Sequence, residues 1–179
     1  MTTILGLSGS LRRASYNAGL LRAAREVAPE GVEIVIGDIR GVPLYDGDAE
    51  AAGGTPPAVA KLNSQLAAAD GLLLVSPEYN NGIPGVFKNV IDWMSRGEGA
   101  RGFVGKPVAV TGASPGNFGT AHAQSHWLPV LRTLKTRSWH EGRLMVSGAG
   151  KLFDQDGNLT DDATRTRLAE FVAGFAAAL

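Results

Sequence analysis

A short loop near the N-terminus combines the residue types that bind phosphate. It spans residues 8–17, SGSLRRASYN, and runs directly into an amphipathic helix pattern. Ser10 and Ser15 supply hydroxyls, Arg12 a guanidinium and Asn17 an amide, while a helix N-terminus adds unpaired N–H groups and partial positive charge. The loop therefore suits a terminal phosphate. The alternative is a capped strand-to-helix turn with solvent-facing arginines.

The glycine spacing excludes two common phosphate loops. The segment lacks the GK[ST] ending of a Walker A loop, and Gly6 and Gly9 do not fit GxGxxG, since no third glycine follows. A dinucleotide loop uses glycines so that the backbone can approach a pyrophosphate. A loop of serines and arginine instead favours a dianionic monophosphate that side chains also bind.

Two further polar loops follow apolar runs. Residues 76–85, SPEYNNGIPG, contain two prolines and two glycines, and residues 111–120, TGASPGNFGT, are rich in small residues. A rigid loop of this kind can direct backbone N–H groups at a planar heterocycle. In an open parallel sheet the ligand binds beyond the carboxyl ends of the strands. The three loops are therefore expected to share one site.

Composition excludes several classes of protein. The chain has no cysteine, so disulfides, thiolate zinc sites and cysteine nucleophiles are impossible, and redox chemistry requires a bound cofactor. Lys and Arg number 17, as do Asp and Glu, which argues against nucleic acid as a partner. The sequence shows neither a secretory signal pattern nor an apolar run of transmembrane length. We expect a soluble, cytoplasmic protein without a membrane partner.

Apolar runs and helical patterns alternate along the chain. The runs are short and continuously apolar, as is typical of strands buried on both faces; they are Thr3–Leu7, Val32–Ile36, Leu72–Val75, Val108–Thr111 and Leu144–Ser147. The helical patterns are Asn17–Ala28, Pro57–Ala69, Gly85–Ser95, Gly119–Leu134 and a final segment that Thr160 would cap. Pro129 is expected to kink or split the fourth helix. Arg40–Pro56 is predicted to be an irregular surface loop.

This alternation predicts an α/β doubly wound sandwich, with a five-stranded parallel sheet and helices on both faces. Residues 1–179 are expected to form a single domain. His122 and His126 have the i, i+4 spacing of a metal-binding pair, but no third ligand is near in sequence, so we predict no metal site. Lys88 and Asp92 share this spacing and predict an ion pair at the surface or at a subunit contact.

Two of the loops together resemble the signatures of the NADPH-dependent FMN reductase family, a flavodoxin-like group that includes azo, quinone and chromate reductases. The resemblance covers about residues 3–125 with the motifs in family order. The motifs are Ser10-Leu11-Arg12 with Ser15 and Asn17, Pro77-Glu78-Tyr79-Asn80, and Pro84-Gly85 through Lys88-Asn89 to Asp92-Trp93. The resemblance implies a flavodoxin-like domain with strand order 2-1-3-4-5.

The resemblance also implies the cofactor contacts. The first loop would hold the FMN phosphate through Ser10, Arg12, Ser15 and Asn17. The second loop would lie along the isoalloxazine through Pro77, Glu78, Tyr79, Asn80 and Gly82. The third loop has Asn117-Phe118-Gly119 where many members have a Gly-Gly pair, so the contacts implied there are limited to Ser114 and Gly116.

The reaction implied by the resemblance is hydride transfer from NADPH or NADH to FMN and then to a small acceptor in a ping-pong order. Quinones, azo compounds, free flavin and chromate are acceptors in the family. No catalytic side chain is predicted, because the cofactor supplies the chemistry. The resemblance further implies a homodimer or homotetramer, and we expect the helix at Gly85–Ser95 to form the contact. The alternative function is a flavodoxin-like electron carrier, although such carriers are strongly acidic and this chain has no net charge.

Overall fold

Parallel strands form a sheet with the order β2-β1-β3-β4-β5, as predicted. The computed structural model describes residues 1–179. Its strands are β1 Thr2–Ser8, β2 Val32–Gly37, β3 Gly71–Val75, β4 Pro107–Ala113, β5 Arg137–Ser138 and β6 Met145–Val146. Its α-helices are α1 Tyr16–Glu26, α2 Gly47–Gly53, α3 Pro57–Ala68, α4 Gly85–Met94, α5 Ala121–Thr133 and α6 Asp162–Ala177. Short 3₁₀ turns cover Gly97–Gly102 and Ala149–Lys151.

Both faces of the sheet are buried, which explains why its strands are continuously apolar. Successive β1 residues point to opposite faces, so Ile4 packs in a cluster with α1 and α6, while Leu5 packs in a second cluster with α3, α4 and α5. Every residue of β3 is buried. At about 25 cal/mol per Å² of apolar surface, burial of these strands is the main stabilising contribution to the fold.

The fifth position of the sheet differs from the prediction. The run at 144–147 was expected to be the whole fifth strand, but β5 pairs with the start of β4 and β6 pairs with its end. The chain between β5 and β6 leaves the edge of the sheet after Trp139, whose N–H still donates to the Val108 carbonyl at 2.8 Å. The Trp139 ring packs against Phe171 and Phe175, with centroids 5.2 and 5.6 Å apart. The strand prediction was therefore right for Met145–Val146 and missed β5.

Two local predictions are corrected, and of the two outcomes expected at Pro129 one does not occur. Arg40–Pro56 is not wholly irregular, because it contains α2, whose N-cap Asp46 accepts a hydrogen bond from the Asp48 N–H at 2.9 Å. Helix α6 is capped by Asp161 and not by Thr160, since the Asp161 carboxylate accepts from the Thr164 N–H at 2.7 Å. Pro129 does not split α5. It is exposed, so water can hydrate the carbonyl that loses its helical partner.

No helix has the length and apolar character needed to cross a membrane.

Candidate cofactor site

The three polar loops meet at the carboxyl ends of β1, β3 and β4. The register places Ser8 opposite Val75 and Val75 opposite Thr111, so the following residues leave the sheet side by side. They surround a cavity of about 350 Å³. Its walls contain Ser10, Arg12, Ser15, Tyr16, Asn17, Pro77, Glu78, Tyr79, Ala113, Ser114 and Pro115.

One end of this cavity is the N-terminus of α1. Ser15 is the N-cap and is 2% exposed, and its Oγ accepts a hydrogen bond from the Ala18 N–H at 3.2 Å. Because Oγ serves there as an acceptor, its hydroxyl hydrogen remains available to a ligand. The N–H groups of Tyr16 and Asn17 lie in the first helical turn and have no acceptor within the helix. This end of the cavity is therefore suited to an anion.

Arg12 provides a positive charge at the same end. Its guanidinium lies over the Tyr16 ring, 4.7 Å from the centroid, and it forms no salt bridge. Tyr16 in turn packs against Phe153 with ring centroids 5.2 Å apart. The aromatic ring thus orients Arg12 without neutralising it. Tyr16 was not among the predicted site residues, although its position between Ser15 and Asn17 on the first turn indicated it.

Asn17 has a different geometry from the other residues of the first loop. It is 4% exposed. Its Nδ2 donates to the Ala113 carbonyl and its Oδ1 accepts from the Ala113 N–H, both at 2.8 Å. The Asn17 side chain on α1 therefore pairs with the last residue of β4. One Nδ2 hydrogen and the main-chain N–H of Asn17 remain for a ligand.

A tight reverse turn shapes the second loop. Tyr79 and Gly82 exchange two backbone hydrogen bonds, at 3.1 and 2.9 Å, and Asn80 and Asn81 occupy left-handed backbone conformations with φ of 49° and 61°. Asparagine tolerates this conformation better than most residues. Pro77, Glu78 and Tyr79 line the cavity, whereas Asn80 and Gly82 form the turn outside its wall.

Glu78 connects the second loop to α5. Its Oε2 accepts a hydrogen bond from the Ala123 N–H at 2.9 Å, within the first turn of the helix. Thr120, the N-cap residue of α5, makes no side-chain capping bond, so Glu78 supplies the cap from a distant part of the chain. A carboxylate at a helix N-terminus is stabilised by the helix dipole.

The third loop is held from the other side by β6 and the turn after it. The Ser114 N–H donates to the Val146 carbonyl at 2.9 Å, and the Ser114 carbonyl accepts from the Ala149 N–H at 3.1 Å. Ser114 Oγ accepts from the Gly116 N–H at 3.2 Å. Ser114 lines the cavity, and Gly116 lies outside its wall.

These walls fit a flavin mononucleotide. Hydroxyl, guanidinium and helix N–H donors gather at one end, while Pro77, Tyr79, Ala113 and Pro115 give other parts of the wall an apolar surface.

Comparison with known proteins decides the family. A family model described as NADPH-dependent FMN reductase matches residues 2–151. The chain belongs to this family. Membership confirms the predicted class, an oxidoreductase with FMN as cofactor and NAD(P)H as electron donor.

Individual relatives match almost the whole chain. An NAD(P)H-dependent FMN reductase of Pseudomonas aeruginosa is 46% identical over 162 residues, covering 90% of this chain and 86% of the relative. A 2-hydroxy-1,4-benzoquinone reductase of a Burkholderia species is 39% identical, covering 94% and 91%. The structure of FerB, a flavoenzyme NAD(P)H:(acceptor) oxidoreductase of Paracoccus denitrificans, superimposes with a TM-score of 0.86 at 32% identity, covering 99% and 96%. The flavodoxin-like fold predicted from the sequence is confirmed.

Proposed function

We propose that residues 1–179 act as a single FMN-binding domain that reduces a small acceptor with electrons from NAD(P)H, in a ping-pong order. The observation that carries this proposal is the cavity itself, where an unpaired arginine, a free hydroxyl hydrogen and helix N–H groups lie at one end. When bound, FMN supplies the chemistry, since it accepts a hydride from NAD(P)H and gives a hydride to the acceptor.

The role of the chain's own residues is to bind and orient the cofactor. We assign the phosphate to Ser10, Arg12, Ser15 and the first-turn N–H groups of Tyr16 and Asn17. The ring is assigned to Pro77, Glu78, Tyr79 and Ser114. Asn80, Gly82 and Gly116 belong to the proposed site as the turn residues that fix the adjoining backbone. N–H groups of the second loop directed at the ring would favour negative charge there.

A quinone is the acceptor that the surface around the cavity favours. Tyr79 lines the cavity and is 52% exposed, and Phe118 of the third loop is 75% exposed. Exposed aromatic rings can stack on planar conjugated rings such as that of a quinone. A relative named as a 2-hydroxy-1,4-benzoquinone reductase is in agreement with this choice. Azo compounds, free flavin and chromate are the alternative acceptors to be compared in the same assay.

The visible spectrum of the purified protein tests the proposal. We expect a flavin absorption band that is lost within seconds when NADPH or NADH is added without oxygen or any acceptor, and that returns when a benzoquinone is added. These two separate half-reactions would distinguish the reductase from an electron carrier. A flavin band that neither nucleotide bleaches would support the carrier, and a protein without a flavin band that also fails to bind added FMN would refute both functions.

Steady-state kinetics extends the same test to the order of the reaction. Because both substrates would use one site in turn, plots of reciprocal rate against reciprocal NAD(P)H concentration should be parallel at several fixed quinone concentrations. Intersecting lines with FMN tightly bound would contradict the ping-pong order.

We also propose a homodimer formed through α4. Lys88 and Asp92 pair at 2.6 Å with about two-fifths of each side chain exposed, beside a groove of about 320 Å³ that Ile91, Val130 and Leu134 help to line. A basic and an acidic group one helical turn apart are self-complementary about a two-fold axis, because each can face its opposite on a second copy.

Light scattering at micromolar concentration should therefore give the mass of two chains, or of four if dimers pair. Lys88→Glu places two acidic groups on that face and should raise the dimer dissociation constant by roughly tenfold, since like charges at an interface are unfavourable. Lys61→Glu, an exposed reversal on α3, is the matched control. A monomeric mass for the unaltered protein would refute the dimer.

A further inference from the structure

We infer that Asn17 is a positioning residue that fixes the third loop relative to the first, and not chiefly a side-chain ligand of the phosphate. This inference rests on the proposed FMN site. Its basis is the pair of 2.8 Å hydrogen bonds between the Asn17 side chain and both main-chain groups of Ala113, a residue 96 positions away.

The two Asn17–Ala113 hydrogen bonds, which we call the clamp, compensate for strand pairing that is missing at the end of the sheet. The β3–β4 pairing ends at Val75 and Thr111, and Ser76 adds one more bond from its N–H to the Thr111 carbonyl at 2.8 Å. Beyond that point the chain turns away at Pro77, so on the β3 side no strand is left to pair with Ala113, while β6 pairs with the end of β4 on the other side. The N–H and carbonyl of Ala113 are buried, and leaving either unpaired would destabilise this end of the sheet. The amide of Asn17 replaces the missing strand.

The clamp joins the two ends of the cavity. Asn17 follows the N-cap Ser15 and Tyr16, whose ring lies under the Arg12 guanidinium. Ala113 precedes Ser114 and Pro115. All of these residues line the same cavity. The Asn17 side chain therefore ties the start of the third loop to the first turn of α1, in addition to the bonds that Ser114 makes to Val146 and Ala149. Loss of the clamp would leave the third loop to be ordered on binding, which lowers affinity.

This role makes a prediction that a phosphate ligand does not make. Riboflavin shares the isoalloxazine ring with FMN but lacks the phosphate. A side chain that binds phosphate affects FMN alone, whereas a side chain that positions the third loop affects both flavins equally. We expect Asn17→Ala to raise the dissociation constants of FMN and riboflavin by the same factor, about tenfold, as two lost hydrogen bonds suggest.

The measurement is a fluorescence titration of the flavin-free full chain with each flavin. Asn89→Ala is the matched control, because the Asn89 amide also pairs with two main-chain groups, the Tyr45 N–H and the Pro43 carbonyl, both at 2.8 Å, but lies outside the cavity wall. The control should leave both dissociation constants unchanged. Weaker binding of FMN alone, or of neither flavin, would overturn the inference.

A second variant keeps the inference testable if Asn17→Ala does not fold, and hydrogen exchange gives a second readout if it does. Asn17→Asp keeps the side-chain size and the acceptor for the Ala113 N–H but loses the donor, so riboflavin binding should still weaken. Hydrogen exchange of the Ala113 amide, followed by NMR in the flavin-free protein, should be slow in the unaltered chain and at least about tenfold faster in Asn17→Ala. Equal exchange would overturn the clamp.

The exchange experiment also separates the two proposals. If the unaltered chain bound neither flavin, the proposed function would fail, while protection of the Ala113 amide would still report whether Asn17 holds the loop.

Discussion

Arg12→Ala is expected to weaken FMN binding by roughly 30-fold while leaving riboflavin binding unchanged. A charge-assisted bond to phosphate contributes about 2 kcal/mol, which corresponds to that factor. Arg12 has no carboxylate partner, so its whole charge is available to the ligand. The stacking of its guanidinium on Tyr16 at 4.7 Å contributes only about 0.5–1 kcal/mol at an exposed site, so folding should be little affected.

Titration with both flavins measures this effect, and retention of flavin after dialysis gives an independent reading. The neighbouring arginine provides the control, because Arg13 is exposed and does not line the cavity. Arg13→Ala removes the same charge from the chain one residue away and should change FMN binding by less than about threefold. Unchanged flavin occupancy in Arg12→Ala after dialysis would eliminate the phosphate assignment.

Gly112→Ala is expected to destabilise the fold by about 3 kcal/mol, at the upper end of the range for overpacking. A Cβ at Gly112 would overlap the Ser76 carbonyl oxygen and lie 2.9 Å from Thr120 Oγ1. Ser76 cannot move away freely, because its N–H bonds to the Thr111 carbonyl at 2.8 Å. The second and third loops would have to separate at the cavity.

Thermal unfolding should therefore show a Tm lower by roughly 6–12 °C for a chain of this size, together with loss of bound flavin. Gly116→Ala is the control from the same loop, since a Cβ there would meet only Ser114 Oγ at 3.6 Å, an ordinary contact. Its Tm should stay within about 2 °C of the unaltered protein. A Tm for Gly112→Ala equal to that of Gly116→Ala would show that the two loops can separate without cost.

Local patterns located most of the elements but not the edge of the sheet. Strands β1, β3 and β4 were predictable because each is a short, largely buried apolar run. The edge strand β2 is only partly buried and was predictable from its β-branched residues. Strand β5, Arg137–Ser138, has no apolar pattern, and it exists because it pairs with Pro107 and Val108 at the start of β4. A pairing partner 30 residues away has no signature in a local window.

The candidate site shows the same division. Ser10, Arg12, Ser15, Pro77, Glu78, Tyr79 and Ser114 were predicted from their motifs and all line one cavity. The motifs could not show that Glu78 caps α5 or that Asn17 pairs with Ala113, because both contacts join residues far apart in sequence, 45 and 96 positions. That these side chains contact the cofactor remains a prediction.

The sequence by itself determined the chemistry that this protein can use. Without cysteine, redox chemistry has to occur on a bound cofactor, and the serine and arginine loop predicts a monophosphate on that cofactor. The tertiary structure decided how that loop is held, because parallel strands bring the three loops to one edge and long-range hydrogen bonds then fix them. Residue types are local properties, whereas the geometry of a site depends on which groups the folded sheet leaves unpaired.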